Sequence, residues 1–360
     1  MTDRLPRVRK GQGSVKLTRE EFERRLRERF YDPAFDAVAS EIDAVVEVAW
    51  KNYHEYRKSP RTRKAGPGFA KPDFELPIEW LAARDAVRKA EREQKRAASP
   101  SRILLVAGAD RHDQTCPGEM SKTFRIAEMA QRVFEQAPGL ECDFLDLSLL
   151  TAQYGRQIHP CKACVSTAMP LCHWPCSCYP NHAMGQVNDW MNELYPRWAR
   201  AHGVMIVTPV YWYEAPSALK LMMDRLVCAD GGNPDQTSTE GKNPEKAKAL
   251  EMKGWHYPRH LAGRVFTVIA HGDAAGAETV RRDLTDWLRD MHLIEAGSSS
   301  IDRYIGYYEP YATSHDALDR DRHLHEEVRQ AAAALIEAVR LNRAGKLPQP
   351  GDRVDEPRPK

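Results

Sequence analysis

The sequence predicts a doubly wound α/β protein, in which helices cover both faces of a parallel sheet. From residue 102 onward, short apolar runs such as RILLVAG at 102–108 alternate with segments that carry apolar residues at helical spacing. Continuous apolar runs are typical of strands buried on both faces, and their alternation with helices favours parallel pairing. Polar loops follow three of these strands, and ligands of such sheets bind beyond the carboxyl ends of the strands.

Composition limits the functions open to the chain. Its 360 residues are 42% hydrophobic and 29% charged, with a formal net charge of +2, which gives no reason to expect a nucleic-acid partner. The first 100 residues hold 23 Lys and Arg against 17 Asp and Glu, a net of +6, which leaves −4 for the remainder. The chain has no run of 18 apolar residues, and its polar start, MTDRLPRVRKGQGSVK, does not resemble a secretory signal. We therefore expect a cytoplasmic protein with no membrane partner.

Residues 1–100 are predicted to form a basic helical extension. Thr18 and the pair Asp32-Pro33 are helix start signals, and a third, densely charged helix is expected over about 78–97. The RTRK run at 61–64 lies in the intervening loop and either contacts phosphate or is solvated. Because short isolated helices are marginal in water, the extension needs a partner surface, either the main domain or a second subunit.

The main domain is predicted to span residues 101–310. Strands are expected at 102–108, 140–148, 203–212, 264–272 and, at an edge, 298–308. Helices are expected at 121–137, 186–201, 216–226 and 277–293, the second of them interrupted or ended near Pro196. A Cys-rich loop at 158–182 and a long polar insertion at 229–258 interrupt this alternation. A C-terminal helix is expected within 311–345, followed by a loose, Pro-rich tail at 346–360.

The first strand-end loop, GADRHDQTCPGEMSKT at 108–123, suits a phosphate group. It contains neither GxGxxG nor GxxxxGK[ST], so the two common nucleotide fingerprints are absent from it. It nevertheless brings Ser121, Lys122 and Thr123 to a helix N-terminus, where free N–H groups and the helix dipole favour a phosphate monoester. Arg111 adds a guanidinium suited to bidentate binding of phosphate. The alternative is that Ser121 or Thr123 merely caps the helix.

The other two strand-end loops carry aromatic and small residues. The second loop presents Pro209, Val210, Tyr211, Trp212 and Tyr213. Aromatic side chains at this edge either stack on a flat ring or pack in the core. The third loop contains His271, Gly272, Asp273 and Gly276. Its glycines allow the backbone to approach a planar ligand closely.

Together these motifs resemble the NAD(P)H-dependent FMN reductase family, which has a flavodoxin-like fold. GADR at 108–111 followed by SKT at 121–123 is similar to the family's phosphate loop, and TPVYW at 208–212 to its flavin-contacting Pro-x-Tyr loop. LKLMMDR at 219–225 is similar to the helix that follows that loop. HGDAAG at 271–276 lies where the third flavin loop belongs, so the resemblance extends over about 102–295.

The resemblance implies a flavodoxin-like doubly wound sheet, a non-covalently bound FMN and NAD(P)H as the hydride source. It assigns the phosphate to Arg111, Ser121, Lys122 and Thr123, the flavin ring to residues 209–213, and the polar edge of that ring to residues 271–273. His271 is a candidate for a charge or donor near the reduced flavin, and the alternative is a core or capping histidine. Members of the family are often dimers or tetramers, so we expect a homo-oligomer.

Two features depart from the family pattern. Ala109 stands where serine is usual, which removes one hydroxyl near the phosphate. The insertion at 229–258 is expected to overhang the site and to alter the access of the nicotinamide. Its basic residues Lys242, Lys246 and Arg259 either meet the 2′-phosphate of NADPH or are solvated.

Five of the eight cysteines lie between residues 161 and 178, in the pattern C-x2-C-x7-C-x3-C-x-C. In a reducing compartment, clustered cysteines more often bind metal or do redox chemistry than form structural disulfides. The loop resembles that of iron–sulfur flavoproteins, although Thr167 stands where their third cysteine is usual. A [4Fe–4S] cluster, a zinc site helped by His173 or His182, and an unligated loop or redox disulfide all stay open. The candidate ligands are Cys161, Cys164, Cys172, Cys176 and Cys178.

Three functions follow from these features. The leading hypothesis is an FMN-dependent NAD(P)H oxidoreductase that passes hydride through the flavin to a small-molecule or protein acceptor, such as a quinone or free flavin. If the cysteines hold an iron–sulfur cluster, the protein is instead an electron-transfer protein, because a flavin takes two electrons and a cluster passes one. The third hypothesis is a non-catalytic flavodoxin-like interaction module without tightly bound flavin.

Overall fold

Helices and strands alternate along most of the chain in the computed structural model, which describes residues 5–273, 275–297, 299–306 and 310–347. The elements before residue 100 are α1 (Arg19–Arg27), α2 (Ala39–His54), β1 (Thr62–Lys64), β2 (Glu75–Pro77) and α3 (Ile78–Lys95). The next are β3 (Ser101–Ala107), α4 (Lys122–Glu135), β4 (Leu140–Asp146), α5 (Leu149–Ala152), α6 (Met191–Arg200), β5 (Gly203–Pro209) and α7 (Ser217–Leu226). The last are α8 (Pro244–Met252), β6 (Val265–Gly272), α9 (Ala277–Asp290), β7 (Ile294–Glu295), β8 (Ile301–Tyr304), α10 (Ser314–Arg320) and α11 (Arg322–Arg343).

The central sheet has the order β4-β3-β5-β6-β7, with β8 also paired to β6. All of its pairings are parallel, as the apolar strand runs predict. The chain moves outward from β3 in one direction to β4 and in the other direction to β5. This reversal creates a switch point beside β3, and it gives the flavodoxin-like strand order, so the predicted fold class is confirmed.

Two apolar layers sandwich the sheet. On one face, α4 and α11 pack through residues such as Phe134 and Leu335, which are completely buried. On the other face, α6, α7 and α9 pack through Trp198, Leu219 and Leu284. β5 and β6 lie between these layers and are buried at every position, which explains why their sequences read as continuous apolar runs.

The N-terminal extension packs on the main domain through α3. Val87 and Ala90 of α3 belong to the same buried cluster as α6, and the indole N–H of Trp80 donates to the carbonyl of Pro175 at 2.9 Å. For α3, the partner surface is therefore the main domain of the same chain and not a second subunit. The basic loop after α2 is not irregular throughout, because β1 and β2 pair in it as a short antiparallel hairpin.

Several predicted boundaries are wrong. The helix expected from residue 186 begins only at Met191, and it runs through Pro196 to Arg200 where a break near the proline was expected. The insertion is not a simple polar loop, because α8 forms within it and Asn233 and Thr239 are buried.

The C-terminal helix is divided. Asp321 ends α10 and caps α11, with its carboxylate accepting from the N–H of Leu324 at 3.0 Å, so two helices replace the predicted one. The expected edge strand is shortened to residues 301–304. Residues 298 and 307–309 and the predicted tail from residue 348 onward lie outside the described residues. Within the described ranges, no helix is long and apolar enough to cross a membrane.

Candidate flavin site and cysteine cluster

Three loops converge at the carboxyl edge of the sheet beside the switch point. Pro209 of β5 pairs in register with His271 of β6, and the N–H of Val210 donates to the carbonyl of His271 at 3.0 Å. Gly276, at φ +114, packs closely against the second loop, since a Cβ added to it would lie 3.0 Å from the Cα of Tyr213. The second and third predicted loops are therefore in direct contact.

The aromatic loop is a tight turn that presents its rings to solvent. Tyr211 and Glu214 exchange backbone hydrogen bonds of 2.9 and 3.0 Å, and the two residues between them both have positive φ, 49° at Trp212 and 71° at Tyr213. Non-glycine residues in this conformation are strained, and such strain clusters at functional sites. Trp212 is 92% exposed and Tyr213 65%, so the core-packing alternative is wrong for both rings.

The phosphate-loop candidates occupy different environments. Ser121 is the N-cap of α4, where its hydroxyl accepts from the N–H of Phe124 at 3.0 Å. Arg111 is half-buried, and its guanidinium donates to the carbonyl of Met120 at 3.0 Å. Within the described residues it has no carboxylate in an ion pair. Arg111 and Ser121 line a small cavity of about 40 Å³.

Lys122 and Thr123 point toward the third loop. The ammonium of Lys122 pairs with Asp273 at 2.8 Å and donates to the hydroxyl of Ser314 at 2.9 Å. The Thr123 hydroxyl is fully buried and lies 2.9 Å from Nε2 of His271, so Thr123 is not the helix cap. These contacts attach the first loop to the third.

His271 is buried at the end of β6. Burial lowers the pKa of its imidazole to about 3, with a further contribution from Lys122, so the ring is neutral at physiological pH. A neutral ring favours the role of hydrogen-bond donor over that of a positive charge near a flavin. Its Nδ1 atom is buried and has no hydrogen-bond partner among the described residues. An unsatisfied buried nitrogen at a ligand edge fits a site that is completed by a bound group.

Residues on the C-terminal segment and a further residue of the first loop also reach this edge, although no sequence motif marked them. Besides Ser314, which binds Lys122, His315 places Nε2 at 3.3 Å from the guanidinium of Arg111. Asp110 ties the phosphate loop to α7, because its carboxylate accepts from the N–H of Ala218 at 3.1 Å and the hydroxyl of Ser217 at 2.7 Å. No local sequence pattern could have predicted that Asp110 binds the start of α7, because α7 begins about a hundred residues later.

The cysteines form a second candidate site. Sγ of Cys164 lies 3.3 Å from Sγ of Cys178, and the N–H of Cys178 donates to Sγ of Cys176 at 3.5 Å. Cys228, which follows α7 in the sequence, is buried beside them, since Cys228 and Cys176 both raise the pKa of the Cys172 thiol. We call these residues the thiol cluster: Cys161, Cys164, Cys172, Cys176, Cys178 and Cys228.

The thiols differ in acidity. Contact with Cys178 and the nearby Lys242 ammonium lower the pKa of Cys164 to about 7 against burial. Burial raises the pKa of Cys228, and burial together with its neighbours Cys228 and Cys176 raises that of Cys172 well above the ordinary value. Cys161 and Cys164 are both partly buried, but burial raises the pKa of Cys161, so Cys164 combines access with a lowered pKa and is the more reactive of the two.

The remaining side chains of the loop are structural. His173 is buried and lies 2.9 Å from the hydroxyl of Thr239, and burial holds its pKa well below the ordinary value. His182 lies 3.2 Å from Glu79 of α3. Both imidazoles are thus engaged outside the thiol cluster, and a zinc site that uses either of them is not supported.

The insertion packs on the Cys-rich loop, where the N–H of Trp174 donates to the carbonyl of Asn233 at 2.9 Å. Lys242 faces the thiol cluster, Lys246 pairs with Glu240 at 3.4 Å and Arg259 pairs with Asp230. The three basic residues considered for the 2′-phosphate of NADPH are therefore committed elsewhere.

The thiol cluster has the donors that a soft metal centre requires. Six thiols exceed the four that a tetrahedral zinc or a [4Fe–4S] cluster needs, and positive groups lie beside them. Within the described residues, however, no three potential ligands already surround one ion position. The donor set fits a thiolate-bound metal in type and number, and binding would require the thiols to rearrange around it.

The fold and the convergent edge define a flavin-binding α/β protein. Sequence comparison supports this class, because the profile of the NADPH-dependent FMN reductase family matches residues 101–305. That match covers more than half of the chain, and the protein belongs to this family. Membership of this family supports a flavin-dependent oxidoreductase, with FMN as the cofactor.

One curated relative has a name that bears on the cysteines. An iron-sulfur flavoprotein of Methanosarcina thermophila is 25% identical to the chain over 126 residues, which cover 35% of this chain. The chain spans about half the length of that relative, 52%.

Two solved structures align with the chain at low identity. RosB with a bound riboflavin-phosphate intermediate aligns at 15% identity and a TM-score of 0.48, over 69% of this chain and 82% of its own. The NADH:FMN oxidoreductase EmoB, in its apo form, aligns at 14% identity and a TM-score of 0.37, over 65% of this chain and 88% of its own.

Proposed function

We propose that the protein oxidises NADH or NADPH through a bound FMN and passes the electrons to a separate acceptor. The carrying observation is the convergence of the three strand-end loops, in which a strained turn presents Trp212 and Tyr213 beside the buried His271. FMN, when bound, supplies the hydride-accepting ring. The chain's own contribution is to hold the phosphate and to position the ring.

The phosphate end is proposed to lie at Arg111 and the N-terminus of α4. The guanidinium of Arg111 has no carboxylate partner among the described residues, and it lies near the first N–H groups of a 14-residue helix. A phosphate there gains a charge-assisted hydrogen bond and a favourable dipole. Lys122 is tied to Asp273, so we assign it to positioning of the third loop and not to direct contact with phosphate.

The ring is proposed to lie against the aromatic turn. Trp212 offers an exposed apolar face, and Gly276 leaves room for the turn to sit close to the third loop. His271 keeps an unpartnered Nδ1 in this region while its other nitrogen is held by Thr123. A neutral imidazole held in this way can exchange a hydrogen bond with a polar atom of the ring edge without adding charge.

Comparison of FMN with riboflavin tests the phosphate assignment. Loss of a hydrogen bond to a charged group costs about 1.5–3 kcal/mol, so Arg111→Ala should weaken FMN binding by about 10- to 100-fold and leave riboflavin binding unchanged. Arg125→Ala is the matched control, because Arg125 lies in the first turn of α4 but pairs with Asp319 at 3.3 Å. Equal loss for both flavins, or for both variants, would contradict the assignment.

Anaerobic oxidation of NADH and of NADPH, followed by the bleaching of bound flavin, tests the reaction itself. Reduction of the FMN by either nucleotide supports an oxidoreductase with its own hydride donor. A protein that purifies without flavin and cannot be reconstituted with FMN would support the non-catalytic interaction module instead.

A second candidate function is an electron-transfer flavoprotein with a thiolate-bound metal centre. The observation that favours it is the thiol cluster, in which the pair Cys164 and Cys178 lies beside Lys242. The similarity to a protein named as an iron-sulfur flavoprotein adds support. Iron, acid-labile sulfide and zinc assays on protein purified without oxygen test this candidate. An absence of all three after reconstitution would rule it out.

A further inference from the structure

Two lysines reach the thiol cluster from opposite parts of the chain. The ammonium of Lys242, in the insertion, lies 3.6 Å from Sγ of Cys164 and donates to the carbonyl of Leu171 at 2.8 Å. The ammonium of Lys58, just after α2, donates to the carbonyl of Ser177, which lies between two of the cysteines. Both side chains are half-buried, so both charges are partly removed from water.

Neither lysine has a carboxylate partner among the described residues. Lys122, whose side chain is 13% exposed, does have one, because it pairs with Asp273. A cation withdrawn from water is costly unless an anion lies nearby. Around Lys58 and Lys242 the groups able to become anionic are the cysteines.

The two charges match the requirement of a metal held by thiolates. A divalent zinc ion bound by four cysteine thiolates keeps two net negative charges, and burial of such a centre needs compensating cations. We propose that Lys58 and Lys242 are the counter-cations of a metal–thiolate centre in the thiol cluster, an inference that rests on the second candidate function. The lysines do not bind the metal; they lower the cost of burying its negative charge.

The surrounding contacts hold both lysines in place. The N–H of His182 donates to the carbonyl of Lys58 at 2.8 Å, which fixes the end of α2 against the Cys-rich loop. On the other side, the N–H of Asn233 donates to the carbonyl of Cys172 at 2.7 Å, which ties the insertion to the same loop. The N-terminal extension and the insertion thus have the same role at this site, because each places one lysine ammonium beside the cysteines.

Neutral variants of the full-length protein test the inference. Lys58→Met and Lys242→Met remove the charges with little change in length, and Lys242→Arg restores a cation. Lys246→Met is the matched control, because Lys246 lies in the same insertion but is 51% exposed and pairs with Glu240. All proteins are purified without oxygen, and iron, sulfide, zinc and FMN are measured on each sample.

Two readouts do not depend on enzyme activity. The first is the rate at which a chelator in excess removes the metal, which should rise about tenfold or more in each Met variant, as expected when about 1.4 kcal/mol of charge compensation is lost. The second, if iron is present, is the reduction potential of the centre. It should become more negative in both Met variants, because a site that loses a nearby positive charge accepts an electron less readily. Lys242→Arg should return both values toward those of the wild type.

The outcomes separate the inference from the functions it builds on. Metal that is retained equally in the two Met variants and in Lys246→Met would overturn the inference and leave the second candidate function intact. A wild-type protein without iron or zinc after reconstitution, or with Cys164 and Cys178 joined as a disulfide, would overturn both. FMN content, measured on the same samples, reports separately on the flavin site. Thermal melts identify any variant that fails to fold, and Lys242→Arg then decides the question.

Discussion

The ion pair between Arg225 and Asp189 is predicted to be essential for stability. The two side chains are 0% and 1% exposed, and a guanidinium nitrogen lies 3.0 Å from the Asp189 carboxylate. The same guanidinium donates to the carbonyl of His159 at 2.8 Å and lies 4.7 Å from the ring centre of Tyr179. Arg225 therefore joins α7 to both ends of the Cys-rich loop, and it is the last residue of the LKLMMDR motif.

The magnitude follows from what each substitution leaves behind. Asp189→Ala removes the carboxylate and leaves the guanidinium buried without its counter-ion, which should cost about 3–5 kcal/mol of unfolding free energy. The exposed pair Lys220–Asp224 on the same helix is the control. Its side chains are 58% and 46% exposed, so Asp224→Ala should cost well under about 1 kcal/mol.

Equilibrium urea unfolding followed by circular dichroism measures both effects. The double variant Asp189→Leu/Arg225→Met removes both charges, so it should lose less stability than Asp189→Ala alone, because no unpaired charge remains. Thiol labelling reports on the Cys-rich loop, and Cys176 should react faster in Asp189→Ala as the loop loosens. A loss below about 1 kcal/mol in Asp189→Ala, no larger than in the Asp224 control, would refute the argument.

Three further predictions concern the flavin site. Gly276→Ala should weaken FMN binding in a fluorescence titration, because its Cβ would press on the aromatic turn at 3.0 Å; Gly297→Ala, also at positive φ but in open space, should not. His271→Gln should lessen the loss of stability toward acid pH. The pKa of His271 is about 3 in the folded protein, below the ordinary 6.5, so the imidazole contributes stability that is lost as the pH falls below about 6.5. The loss amounts to about 3 kcal/mol of unfolding free energy at pH 4. Equal dependence of urea unfolding on pH in both proteins would contradict this. Trp212→Ala should lower FMN affinity about two- to tenfold, whereas alanine at the equally exposed Tyr154 should have no effect.

Much of the central domain could be predicted from local sequence. The β5 and β6 strands are buried on both faces, so every residue along them is selected for apolar character and the run is visible without any knowledge of its neighbours. The helix starts at Thr18, Asp32 and Ser121 were also visible, since a capping side chain acts within three residues of itself. Asp32, however, caps a 3₁₀ turn before α2 begins.

Breaks within helices were less predictable. Pro196 was expected to interrupt α6, but the helix runs through it to Arg200. A proline at this sixth position removes one backbone hydrogen bond, and the buried side chains of Leu194, Tyr195 and Trp198 hold the helix against the domain in spite of that loss. The division at Asp321 depends on a cap that competes with continuation of the helix, and local propensity does not decide between them.

The sequence by itself determined the parallel sheet, the three loops at its carboxyl edge and the grouping of five cysteines in one loop. The strand order followed from the resemblance to the flavodoxin-like family. Tertiary structure alone decided what those residues contact. It turned Lys122 toward Asp273, buried His271 as a neutral base, added Cys228 to the thiols and brought Lys58 and Lys242 to them. The physical reason is that strand and helix patterns repeat within a few residues, whereas these contacts join groups that are 78 to 151 residues apart. No local pattern records such a pairing.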